Sequence, residues 1–119
     1  MSTTLPPTIA QHFDGRGKDV RATYDRILAI AREWGDVKPE AKKSSIQLLR
    51  GTVGFGAVQT RKDFLILTLK ASHEVRSARV QKCEASGKIF QIEVRLTNAK
   101  EIDHELQQWM RASYGLAGA

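Results

Sequence analysis

Cysteine is nearly absent: Cys83 is the one thiol in 119 residues. No disulfide can therefore form within the chain, and its core must close by packing alone. A lone thiol suits a reducing compartment, which makes a cytoplasmic location the expectation. No apolar run approaches the roughly 18–20 residues that cross a bilayer as a helix. The first seven residues have neither a basic cluster nor an apolar stretch, so the start is not read as a signal peptide. Internal repeats and low-complexity tracts are also lacking. A chain of this length and ordinary composition is expected to form one domain around one core.

What the sequence does contain is organised around residues 51–71, two apolar stretches joined by a charged turn. In the second stretch Leu65, Leu67 and Leu69 share one parity and Phe64 and Ile66 the other. A strand here carries apolar side chains on both faces, as central strands do. The first stretch places Val53, Phe55 and Ala57 on one face and Gly54, Gly56 and Val58 on the other. Two glycines within a strand weaken it by about 0.5–1 kcal/mol each and ask for a reason. Either a bulge or tight packing beneath a helix requires them, or a ligand or partner backbone comes close. Residues 60–63 are short enough to close an antiparallel hairpin.

On either side, the pattern is helix, strands, helix. Residues 1–12 are polar and aperiodic and read as a flexible tail, residues 13–116 as the folded domain, and residues 117–119 as a frayed end. Val20, Tyr24, Ile27, Leu28, Ala31 and Trp34 recur at helical spacing over residues 18–34, with Gly35 as a left-handed stop. Pro39 makes residues 36–41 a loop or a short edge segment. Residues 42–50 read as a strand, residues 79–84 as a short one, and residues 89–97 as the clearest, alternating Phe90, Ile92, Val94 and Leu96 with polar neighbours. Asn98 and Glu101 have the spacing of a helix cap and its return partner. Ile102, Leu106, Trp109, Met110 and Ser113 follow as a second helical stripe, ended by Gly115. The expected fold is α+β: an antiparallel sheet of four to five strands with an N-terminal and a C-terminal helix packed on one face. Phe64 and Ile66 then lie on the opposite face, covered by a loop over residues 72–78 or by another chain.

Charge is unevenly placed. Between Lys38 and Arg95 there are twelve basic and five acidic residues, a balance of +7, while the two ends contribute −1. The excess belongs to the sheet and its loops, where an anionic partner would find it. No basic and aromatic interleaving of the kind that stacks on bases is present. The histidines, His12, His73 and His104, have no ligand spacing, so no metal and no cofactor is expected. Cys83 with His73 is the available thiol and imidazole pair, with no third group placed beside it. Gly51, Gly54 and Gly56 do not form a phosphate loop.

Four segments together resemble a small bacterial family known as domain of unknown function number 5655: the amphipathic first helix; Lys43, Ser44, Ser45 and Ile46; Phe55, Gly56, Ala57 and Val58; and the run from Glu101, Ile102 and Asp103 through Leu106 and Trp109 to Tyr114. In the first motif Ser45 stands where the family often has an aromatic, so a pocket built on that ring is not carried over. The resemblance implies an accessory role, since members occur beside other uncharacterised domains. The leading expectation is a non-enzymatic binding module. It would dock a partner or small ligand around Lys43, Ser45, Gly54, Gly56, Phe64 and Ile66, with a basic rim from Lys42, Arg61, Lys62 and Lys70. The alternatives are binding of nucleic acid or another polyanion through that rim, and a small enzyme using Cys83 or His73. A homodimer through the open face is a further alternative.

Overall fold

Alternating apolar residues build the sheet, and the computed structural model describes residues 7–118 of it and its flanks. Six strands, β1 (Lys38–Ala41), β2 (Ile46–Arg50), β3 (Val53–Thr60), β4 (Leu65–Ala71), β5 (Val80–Ser86) and β6 (Ile89–Leu96), lie in the order β1-β2-β3-β4-β6-β5. Every neighbouring pair is antiparallel. The sheet is wider than the four to five strands expected because residues 38–41 join its edge despite Pro39. An edge is where a residue without an N–H is tolerated, since one side of the strand has no ladder to supply.

Two helices, α1 (Lys18–Arg32) and α2 (His104–Ala117), cover one face. That face takes Ile46 and Leu48 from β2, Val58 from β3, Leu65, Leu67 and Leu69 from β4, and Ile92, Val94 and Leu96 from β6, all buried. The helices return Val20, Tyr24, Ile27, Ile30 and Ala31 from α1, and Leu106, Met110 and Tyr114 from α2. Each such side chain withdrawn from water contributes about 1.5–3 kcal/mol before chain entropy is counted.

Helix boundaries depart from expectation in four places. The first helical element from the N-terminus is only a 3-10 turn, Ala10–Phe13, which spans the end of the stretch read as tail and the first residue of the domain; residues 1–6 of that tail lie outside the described residues. Asn98 and Glu101 do form a capping box, but on a second 3-10 turn, Ala99–Glu101; α2 starts afresh with Asp103 accepting from the Leu106 N–H at 3.0 Å. Gly115 lies inside α2, which runs on to Ala117. Gly35 follows the end of α1 by three residues, at φ +151°, and a Cβ there would collide with the Tyr114 hydroxyl. Glycine is required by that contact and by the backbone conformation, not as a left-handed cap.

A bulge explains the second glycine of β3. Leu48 pairs with Gly56 and Leu49 with Gly54, leaving Phe55 as the extra residue. An inserted residue interrupts the alternation, so Phe55 and Gly56 face the same side. Phe55 thereby swings from the face its parity assigns to the helix side, where its ring meets Tyr114 edge-on at 5.2 Å. A Cβ on Gly56 would stand 3.1 Å from the Thr68 carbonyl oxygen and 3.4 Å from Leu69 Cδ2. The space admits one side chain, and Phe55 takes it.

Beyond the bulge β3 and β4 part. Their register ends at Gly56 with Leu69, although β3 reaches back to Val53 and β4 on to Ala71. The next pair would be Phe55 with Lys70. Instead the buried Ser113 hydroxyl lies between them, donating to the Phe55 carbonyl and accepting the Lys70 N–H at 2.9 Å.

Ser113→Ala should lower stability by about 1–3 kcal/mol, because two backbone groups lose their shared partner. Tyr24→Phe should cost little or stabilise, since the buried Tyr24 hydroxyl has no hydrogen-bond partner among the described residues. Urea unfolding of the two variants checks the contrast, and equal losses would contradict it.

Candidate functional site

The face of the sheet away from the helices carries no element over it among the described residues. The 72–78 loop does not cross it: Val75 packs against the helix-side core. Nor does the face present the apolar patch that two-sided β4 suggested. Ile66 is 9% exposed, flanked in register by Gln59 and Arg95. Phe64, in the β3–β4 turn, lies beneath the Arg95 guanidinium at 3.9 Å. Long polar side chains of neighbouring strands thus cover both residues, and among the described residues Val53 is the exposed large hydrophobic, at 42%.

What this face does have is a groove of about 250 Å³ where β3 and β4 part. Its lining includes Gln47 of β2, Gly54 and Ala57 of β3, Thr68 and Lys70 of β4, and Gln91 of β6. Small residues at Gly54 and Ala57 make the floor, and longer side chains on the neighbouring strands make the walls. A Cβ on Gly54 would meet just Leu49 Cδ2, at an ordinary 3.8 Å. Packing therefore does not demand glycine there, unlike at Gly56. The polar groups are two amides, a hydroxyl and one ammonium, with no carboxylate in the lining. Such a set can hydrogen-bond a small polar ligand and neutralise one negative charge.

The residues singled out from the sequence are not all brought together. Gly54 and Lys70 line the groove; Gly56 borders it, but the Cβ it lacks would face the helix-side core. Lys43 and Ser45 lie in the β1–β2 turn, Phe64 in the β3–β4 turn, and Ile66 on β4 outside the groove lining. Lys42, Arg61 and Lys62 occupy those two turns, at the end of the sheet away from Lys70, and Lys42 is paired with Glu40 at 2.6 Å. Gln47, Thr68 and Gln91, also in the lining, are not among the residues the sequence singles out. Their signal was the polar half of each strand's alternation, which reads as wet surface until the register shows that the three surround the same small residues.

Comparison with known proteins matches residues 9–117 to the family described as a domain of unknown function, DUF5655. The chain belongs to the DUF5655 family. No curated protein and no solved structure matches it. The matched span of this DUF5655 domain includes all six strands and both helices. No helix among the described residues is long and apolar enough to cross a membrane.

Elsewhere the DUF5655 domain groups its charges structurally. Arg79, just before β5, donates from Nη1 to Asp103 at 2.7 Å and Glu105 at 3.2 Å, and from Nη2 to the Glu101 carbonyl at 2.7 Å. It ties the loop after β4 to the start of α2. The Arg79 hydrogen bond holds the Asp103 carboxyl below its ordinary range. Burial pushes Glu101 upward, but hydrogen bonds from the Thr97 hydroxyl and from the Thr97 and Asn98 backbone N–H groups outweigh it and hold it low. Cys83 sits on β5 opposite Ile92, whereas His73 follows β4 and meets the Ser72 hydroxyl at 3.2 Å. No metal-holding group of histidine, cysteine and carboxylates occurs among the described residues.

A carboxyl with a lowered folded-state pKa contributes stability above its unfolded-state value and loses it as pH falls through the lowered one. The urea midpoint should therefore drop on acidification, and Glu101→Gln should make that drop shallower than in the parent chain. Identical pH profiles would contradict the role given to Glu101.

Proposed function

We propose that the chain is a non-enzymatic binding module whose groove beside Gly54 takes a small polar ligand bearing a negative charge. The observation that carries this reading is the parting of β3 and β4 over a glycine floor that packing does not require. Lys70 stands at that groove as its cation, with Gln47, Thr68 and Gln91 as hydrogen-bonding walls. The opening suits a ligand of few atoms, since cavities for drug-sized molecules run to about 300–1,000 Å³. Family membership adds the expectation of an accessory role beside other domains.

Backbone-amide NMR with a panel of small carboxylates and phosphates tests this. Saturable shifts should centre on Gly54, Ala57 and Lys70. Lys70→Ala should abolish them by removing the charge, and Gly54→Val by filling the floor while the fold is kept. Shifts that are absent, or that persist in both variants, would refute the reading.

A second reading, polyanion binding, draws on a different end of the sheet. The Ala10–Phe13 turn draws the two basic turns together: the His12 ring bonds the Lys42 carbonyl at 2.7 Å, and the Thr60 hydroxyl donates to the His12 carbonyl. Gly17 N–H meets the Lys62 carbonyl at 2.8 Å. Lys42, Lys43, Arg61 and Lys62 would then face one partner. Affinity for mixed oligonucleotides should fall log-linearly with salt, by a slope near the number of phosphates contacted, and a flat response would dismiss this reading.

A further inference from the structure

We infer that the free edge of β5 pairs with the same edge of a second copy of this chain, antiparallel about a two-fold axis through Cys83. The two edges of the sheet are not alike. β1 is four residues long and carries Pro39. β5 is seven residues long, has no proline, and is the last strand on its side. An unpaired edge of that length presents a row of backbone donors and acceptors to any matching strand.

Charge selects the register. Lys82 and Glu84 lie on the same face of β5, since they pair with Glu93 and Gln91 of β6. In an antiparallel two-fold pairing, each residue faces its counterpart reflected about the central one. An axis at Lys82 sets lysine against lysine, and one at Glu84 sets glutamate against glutamate; like charges directly opposite are destabilising. An axis at Cys83 sets each Lys82 against the other copy's Glu84, twice per dimer. The same register puts the two Cys83 residues opposite each other on the helix side, beside Ile92. A bulge at Gln81, where the β5–β6 register shifts, bounds the seam.

The helix layer leaves room. α2 packs under β3 and β4, and β5 lies two strands beyond β4, about 10 Å at ordinary strand spacing. Joined this way, two copies form one continuous sheet with the groove faces of both on the same side.

Sedimentation over a concentration series tests the seam. The parent chain should dimerise; Lys82→Glu and Glu84→Lys should each weaken the dimer about tenfold or more, and the double exchange K82E/E84K should restore it. A short bis-maleimide, whose two rings each add one thiol, should link two copies through Cys83 in the parent and in the double exchange. A monomeric parent chain, a dimer indifferent to the single exchanges, a double exchange that fails to recover while its thermal unfolding matches the parent's, or a dimer that the reagent does not link would each overturn the proposal.

Discussion

The sheet is held to its helix layer, and at the same point opened, by one hydroxyl. Ser113 occupies the place where β3 and β4 would exchange their next ladder bond, and it satisfies the Phe55 carbonyl and the Lys70 N–H together. Without it the two strands would have to close on each other or leave the two backbone groups bare, and the second choice costs about 1–3 kcal/mol per group. The bulge that frees Phe55 also sends its ring under α2 to Tyr114. Tyr114 in turn touches Trp34 at 5.8 Å and lies under Arg50 at 4.3 Å. The groove on the outer face is the other side of this wedge: what α2 does beneath the sheet makes the opening above it.

Much of the fold was legible because period carries it. Alternation placed β3, β4 and β6, and helical spacing placed both helices. The break between residues 98 and 104 was less legible, since a capping box marks a local hydrogen-bond pattern that a 3-10 turn satisfies as well as an α-helix. Pro39 left β1 open between a loop and a short edge segment, because proline is tolerated in a strand at an edge and edge position is a property of the finished sheet.

The candidate site was legible in part for a related reason. Gly54 and Gly56 stand out equally in the sequence, yet one answers to packing and the other does not; Cβ space, not composition, separates them. Parity assigned Phe55 to the wrong face because one inserted residue inverts the count. Ile66 looked like half of a docking surface, but it is buried between its register neighbours Gln59 and Arg95. Cross-strand neighbours cannot be read before the register is known.

Strand order also constrains how the chain can assemble. β1 to β4 follow one another as neighbours in space, so each can add to the last through a short connection. β5 cannot: its neighbour within the sheet, β6, comes after it and fills the place next to β4. The β5–β6 hairpin, closed by Gly87 at φ +65°, is thereby joined to the rest of the sheet along the β4–β6 seam. Arg79 stands at the entry to that hairpin and reaches the head of α2 beyond its exit. Its contacts clasp the hairpin from behind, tying the segment that leads into β5 to the segment that leaves β6.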